Sequence, residues 1–536
     1  MPVTADPNRR PAWSVLPIAL LIIVPLGVVM SAFLQPQPEE WAHLAEYVLP
    51  RVLTNTAVLM VGVGLSVLVL GVGLAWLTAV CEFPGRKFFA WALMLPMAMP
   101  AYVLAFVHVA LLDYSGPVQS LLREIFGGPV WFPPIRSTWG VVLVMSFALY
   151  PYVYLLARQA FLTQGKRLLE AAQTLGCSHT RAFWSVALPM SRPWWVAGLT
   201  LALMETLADF GTVSIFNFDT FTTAIYKAWF SLFNLPLASQ LASLLVMLVL
   251  LLVVAEHHAR GARAYAGRLG AGERIVLTGK QRVWATLACA LVLSMAFIAP
   301  FIQIVIWAAS VWRTDLDPRY LSFIWHSVLL ASSAAALVVV AALWLAWARR
   351  VRPDPVTAGL TRIATLGYAV PGMVLAVGIY IPVAWFDNQL AAWAAHFGVR
   401  PAFLLGGTLF VMLAGLASRF LSVGFNPLEA GFKRITDSQE EAARSLGLAP
   451  RAVLMKLHLP LLSGSVLSAA LLVFVDVMKE MPITLMTRPF GWDTLAVRVF
   501  EMTSEGMWEH AALPALFIVL AGLIPVVMLM REKNHD

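Results

Sequence analysis

Long apolar runs separated by short polar segments dominate the chain. Twelve runs of about 20 or more residues fall near positions 12–34, 52–80, 88–112, 137–158, 192–216, 237–257, 283–312, 322–348, 359–386, 402–424, 461–486 and 511–530. That length suits a helix crossing a hydrocarbon core of ~30 Å. The pattern predicts an all-α polytopic membrane protein of about twelve transmembrane helices.

The runs come in two sets. Glu170, Ala171, Ala172, Gly176 and the pair Leu188-Pro189 recur as Glu441, Ala442, Ala443, Gly447 and Leu459-Pro460, an offset of 271 residues from Glu170 to Glu441. The same offset lays the first six runs on or near the second six. It also lays Leu95–Ala105 on Leu366–Ala376, with Pro100 on Pro371. This predicts two six-helix repeats, 1–257 and 283–536, joined by a polar, Gly- and Arg-rich linker at 258–282. Six spans is an even number, so both repeats point the same way, related by an axis along the membrane normal.

Composition agrees with this reading. The 536 residues are 60% hydrophobic and only 12% charged, too apolar for a soluble core of that size. The net charge of +8 sits mostly in the short segments between runs, so it reads as an orientation signal and not as a nucleic-acid surface. Lys and Arg concentrate on the side holding both repeated motifs, which puts those motifs and both termini in the cytoplasm. The run after Arg9-Arg10 is long for a cleaved signal and has a partner in the second repeat, so it is expected to be retained. Cys81, Cys177 and Cys289 have no metal-type or disulfide spacing.

In each motif a helix-forming stretch containing Glu-Ala-Ala runs into a glycine, which stops it by taking the left-handed conformation. A second short helical stretch leads to Leu-Pro, where proline is tolerated in a first turn. The result is a helix-turn-helix at the cytoplasmic surface, able to pass a push from a soluble partner to the adjoining spans. One copy alone reads as an amphipathic connector about as well; two in register point to a docking element.

This arrangement resembles the EAA loop of permease subunits of ATP-binding-cassette importers, and the likeness covers nearly the whole chain as two permease copies fused into one. The resemblance implies that Glu170, Ala171, Ala172 and Gly176, and Glu441, Ala442, Ala443 and Gly447, dock two copies of a cytoplasmic ATP-binding-cassette ATPase. It also implies a periplasmic solute-binding protein, an inner-membrane location and no catalytic residues. Val186 and Leu457 stand where that family often has isoleucine. The chain should not hydrolyse ATP itself. At Gly279-Lys280, the nearest approach to a phosphate-binding loop, Arg274 replaces the first glycine and Gln281 the Ser/Thr. ATP is expected on the partner subunits, with no bound cofactor.

Acids inside a span cost about 2.5–3.5 kcal/mol on insertion scales and face a pathway or a partner. Glu205 and Asp209 in the fifth span overlay Asp476 and Glu480 in the eleventh, each pair spaced i, i+4 and hence expected on one helix face. The four are candidate lining residues of a cation pathway. Neutralisation by Lys479, also inside a span, and capping by Asp209 near its helix end are the structural alternatives. Hard oxygen ligands suit a hard cation such as Fe(III). The stretches Ala208–Phe216, Thr220–Trp229 and Val475–Thr484 resemble the iron(III) branch of these permeases. Thiamine or another small solute is the rival cargo, and a gradient-driven secondary transporter the rival class. Whether a metal is held at a defined site is left open.

Overall fold

A computed structural model describes residues 14–34, 38–128, 130–165, 172, 174, 176–260, 274–398 and 405–532. The main helices are α1 (Leu16–Ser31), α2 (Leu49–Val80), α3 (Ala101–Leu112), α4 (Thr138–Ala160), α5 (Arg192–Ala208), α6 (Gly211–Ile215), α7 (Leu235–Arg260), α8 (Ala299–Asp315), α9 (Pro318–Val351), α10 (Gly372–His396), α11 (Leu409–Arg434), α12 (Asp437–Ser445), α13 (Ser463–Lys479), α14 (Pro482–Thr487) and α15 (Trp508–Glu532). The all-α polytopic fold is as predicted. Among the described residues, ten helices are long and apolar enough to cross a membrane, and a bent pair makes a possible eleventh.

The shortfall from twelve has a local cause. The predicted span 192–216 is not continuous, because α5 ends at Ala208 after 17 residues. The predicted span 461–486 is broken after Lys479. Two further spans begin late. Pro100 and Pro371 cannot continue a helix from the preceding turn, and the residues before them, Met99 and Val370, are extended with ψ of 119° and 127°. Helices α3 and α10 start directly after those prolines, which supply fixed φ without needing a donor.

The chain divides into two compact units. One comprises residues 1–36, 233–243 and 318–497; the other comprises 37–232, 244–317 and 498–536. Neither unit coincides with one sequence repeat. In the first, α1 packs on α10 and α11, elements of the second repeat. Four hydrogen bonds fix it: Ser418 Oγ donates to Leu21 O (2.8 Å), Ser243 Oγ to Val29 O (2.6 Å), Gln240 Nε2 to Ala32 O (3.1 Å) and Trp344 Nε1 to Ser14 O (3.2 Å). In the second unit, α8 and α15 pack on each other and on α3. Hydrophobic periodicity cannot distinguish these partners, since any apolar face fits any other in outline.

One piece of sheet was not expected. Cys81–Glu82 (β1) pairs in parallel with Ile275–Val276 (β2), so the end of the linker is clasped to the turn after α2. Glu82 accepts ion pairs from Arg86 (3.0 Å) and Arg274 (3.3 Å) at this clasp.

Close approaches within the first unit rest on glycine. A Cβ on Gly367 would lie 1.9 Å from the backbone oxygen of Ser418, and one on Gly378 2.5 Å from that of Pro25. Neither helix backbone can yield locally, so Gly367→Ala is expected to cost on the order of 3 kcal/mol. Thermal unfolding of the purified protein checks this. The control Gly464→Ala, whose Cβ would meet nothing within 4 Å, is expected to leave the melting temperature unchanged.

Candidate functional site

The two motif copies share their backbone angles at the glycine and at the cap that follows it. Gly176 has φ +83° and Gly447 φ +80°. Around Gly447, Leu448 N donates to Ala443 O (3.2 Å) and Gly447 N to Arg444 O (2.9 Å), a Schellman ending. The first copy repeats the longer bond, Cys177 N to Ala172 O at 3.0 Å. Ser178 and Ala449, the caps of the following helical runs, both have φ −65° and ψ 156°. Each run then contains one π turn, Phe183–Ala187 and Leu454–His458, at the same offset. Pro189 and Pro460 sit just before the turn into α5 and α13, as predicted. In the second copy the run Pro450–Leu461 meets α13 at 73°. Trp184 and Met455 occupy matching positions on these runs and are 64% and 62% exposed. Each copy therefore presents a large apolar side chain outward at the same position of the short helical run that follows a left-handed glycine.

The motif residues divide by burial. Ala172 and Ala443 are buried, while Glu441 and Ala442 face outward. Glu170 and Ala171 lie outside the described residues.

Sequence reading overlooked the neighbouring acid. Glu440 is 7% exposed and accepts from Arg350 Nε (2.9 Å) and Arg444 Nη2 (3.1 Å) and contacts His458 Nε2 (3.1 Å). Arg350 also donates to Ile435 O (3.1 Å) and to Asp437. Glu440 thus ties the motif helix α12 to the end of α9 and to the helical run after Gly447. The i, i+4 spacing of Glu440 and Arg444 was the available signal. The matching position of the first copy is Leu169, so repeat logic hid it.

The candidate pathway acids require a correction. Their spacing predicted two carboxylates on one continuous helix face, but in each copy the helix ends between them. Asp209 and Glu480 are extended at nearly equal angles (φ −67°, ψ 131° and φ −71°, ψ 125°). Phe210 and Met481 follow at φ −118°, ψ −41° and φ −117°, ψ −43°. Both acids then cap the next short helix. Asp209 Oδ1 accepts from Val213 N (3.1 Å) and Oδ2 from Thr212 Oγ1 (3.0 Å). Glu480 Oε1 accepts from Ile483 N (2.8 Å), and Oε2 from Thr484 N (3.1 Å) and Thr484 Oγ1 (3.1 Å). Leaving a helix inside an apolar layer strands N–H groups, and a carboxylate is a strong acceptor for them.

Glu205 and Asp476 remain within α5 and α13 and are half-buried. Lys479 lies 3.9 Å from Asp476, so the predicted neutralisation is present there. Among the described residues no three His, Cys, Asp or Glu side chains form a metal-ligand set.

One further charge lies within a span: Arg419, inside the predicted run 402–424, sits within α11 and is 8% exposed.

Residues 68–261 match the family described as binding-protein-dependent transport system inner membrane component. The chain is 28% identical to the Fe(3+)-transport system permease protein FbpB 2 of Haemophilus influenzae, over 98% of this chain and 99% of that one. It is 29% identical to the molybdenum transport system permease protein ModB of Escherichia coli K12, over 36% of this chain and 86% of the relative. It is 27% identical to the sulfate transport system permease protein CysT of Salmonella typhimurium, over 45% and 87% respectively.

Proposed function

Since the chain belongs to the binding-protein-dependent transport system inner membrane components, we propose that it is the translocating subunit of an ATP-binding-cassette importer and that its cargo is iron(III). The observation that carries the transport mechanism is the repeated docking geometry: two left-handed glycines, each followed by a short helix with an exposed Trp184 or Met455. Such a protruding apolar anchor on a preorganised helix is what a protein partner's cleft engages. In this reading each helix enters one of two cytoplasmic ATPase subunits. ATP binding draws those subunits together, the helices move with them, and the push passes directly into α5 and α13 through the bends at Ser191 and Leu462. The path then opens outward to accept cargo from a periplasmic binding protein, and hydrolysis returns it inward. The chain performs this motion without forming or breaking a covalent bond. Both termini lie in the cytoplasm of an inner-membrane protein.

The cargo reading rests on the relative named for Fe(3+) transport, whose match runs through both copies and the linker. Oxyanion cargo is the second reading, because the relatives named for molybdenum and sulfate transport match about one copy. Uptake of radiolabelled iron(III) by iron-starved cells lacking other iron systems separates them. Chain-dependent uptake that ignores excess molybdate, sulfate and thiamine is the expected result. Uptake unchanged by deleting the chain overturns the iron reading.

A further inference from the structure

The second compact unit gathers three guanidinium groups and one carboxylate where α2 and α4 end. Glu82 Oε2 lies 3.0 Å from Arg86 Nε and 3.3 Å from Arg274 Nη1. Arg86 is 6% exposed. Its Nη1 donates to Thr78 O (3.3 Å), but its Nε lacks the angle for a hydrogen bond to Glu82. Thr78 Oγ1 in turn meets Tyr154 Oη at 3.0 Å. Arg158 follows Tyr154 by one turn of α4, so it stands on the same helix face. It is half-buried, and its Nε is buried with no hydrogen-bond partner. Arg86 and Arg274 are near enough for their like charges to act against it, and among the described residues no carboxylate offsets them there.

The second copy fills the same position with the opposite charge. The 271-residue offset places Glu429 at Arg158 and Arg349 at Thr78. Arg349 Nη1 pairs with Glu429 Oε1 at 2.7 Å, and Lys433 Nζ with Oε2 at 3.3 Å. That site is closed within the chain. In the first copy three guanidinium groups face one carboxylate, and a guanidinium out of water needs a negative partner to offset its desolvation. Depth narrows the choice of partner. Helix α4 has 23 residues, about 35 Å at 1.5 Å per residue, slightly more than the ~30 Å hydrocarbon core. Arg158 is third from its end and so lies at headgroup level, on the side of the motif loops.

We infer that Arg158, Arg86 and Arg274 form a phosphate site, filled by the headgroup of an anionic phospholipid. Guanidinium forks match phosphate oxygens in pairs. Basic recesses between spans at headgroup depth take acidic lipid headgroups. A phosphate there joins the end of α4 to the turn after α2 and to β2, the strand that ends the linker. The lipid supplies in the first copy the negative charge that Glu429 supplies in the second. This inference is independent of the cargo, since none of the three arginines has a part in that reading.

The test uses the purified full-length chain in mixed micelles of detergent with phosphatidylglycerol or phosphatidylcholine of the same acyl chains, at ~0.1 M salt. Retained lipid is counted by mass spectrometry, and the melting temperature is read in each lipid. The preference for phosphatidylglycerol is expected to fall about fivefold in Arg158→Gln and in Arg274→Gln, the factor one arginine contributes beside acidic lipid. Arg158→Lys, which keeps the charge, retains most of it. Arg362→Gln, an exposed base in the other unit, leaves it unchanged. Phosphatidylglycerol is expected to raise the parent's melting temperature by about 2–4 °C. Arg158→Gln is expected to melt at or above the parent in phosphatidylcholine and below it in phosphatidylglycerol, because the unmatched charge is a cost only without its anion. Arg274→Gln, on a half-exposed strand, gives the preference readout if Arg158→Gln fails to fold. An unchanged preference in Arg158→Gln and Arg274→Gln overturns the proposal. An equal fall in Arg362→Gln also overturns it, since it marks attraction to the whole basic surface. Inorganic phosphate added to phosphatidylcholine micelles is expected to leave the parent's melting temperature unmoved. A rise equal to that given by phosphatidylglycerol overturns the lipid assignment in favour of a free phosphate.

Discussion

Glu440→Ala is expected to cut ATP-dependent uptake on the order of a hundredfold. The carboxylate is the junction of three positive or protonatable groups from three segments: Arg350 at the end of α9, Arg444 one turn along α12 and His458 in the helical run after Gly447. Its side chain is 9% exposed, and those of His458 and Arg350 are 2% and 24% exposed, so water cannot replace the lost partner. Removing one member of a buried ionic cluster costs up to about 3–5 kcal/mol; here His458 loses its carboxylate partner while buried, and Arg350 keeps only Ile435 O and Asp437. Arg444 is 61% exposed, and its share is small. The loss falls on the link between the second docking helix and α9, so the helix no longer moves as one body with the spans. Hydrogen exchange over 437–461 should quicken while the first copy's docking run at 179–190 keeps its protection. Glu440→Gln, which retains the volume and one acceptor, is expected to fall between. Parent-like uptake together with unchanged exchange in Glu440→Ala would show that the cluster does not carry the coupling.

Replacing both motif glycines by valine, Gly176→Val with Gly447→Val, is expected to lower uptake by a similar factor while the protein still inserts in the membrane. The cost is conformational. A Cβ at either position meets nothing within 4 Å, so there is no steric clash to relieve. The left-handed backbone at φ +83° and +80° costs an L-residue roughly 1–2 kcal/mol, and a β-branched one more. The substitutions lie in different compact units, so their costs add. The same changes to asparagine, which tolerates this conformation, are expected to stay within several-fold of the parent. Retention of the ATPase through purification, followed by coupled uptake, reads the effect. Equal loss in the asparagine and valine pairs would mean that the partner requires glycine itself, with backbone handedness irrelevant.

Both results depend on features of very different visibility in sequence. The glycine ending was legible, because a run of helix formers stopped by glycine before a second run and Leu-Pro leaves few backbone solutions. The repeated offset made it doubly so, and the dihedral angles agree at Gly176 and Gly447 and at Ser178 and Ala449. The apolar runs likewise determined an all-α membrane fold, since about 20 apolar residues have no stable alternative to a helix in hydrocarbon. Pro100 and Pro371 were visible as interruptions, though not that helices would start directly after them.

What tertiary structure alone decided is where charges and faces meet. Glu205 with Asp209 and Asp476 with Glu480 looked like pairs on one face because spacing assumes a continuous helix. The chain breaks there, and the second acid of each pair turns to cap a helix that hydropathy could not separate from the span. Glu440 was invisible as a junction because its partners lie 90 and 18 residues away. Arg419 falls inside a predicted run, but only the folded chain brings it near Glu480, 61 residues away in sequence. The packing of α1 in a unit built mainly from the second repeat, and of α8 with α15 and α3 in the other, has the same origin. Hydrophobic pattern determines which residues avoid water. The fit of side-chain shape, of glycine contacts and of individual hydrogen bonds determines which apolar face each helix meets, and that information exists only when the folded chain brings distant segments together.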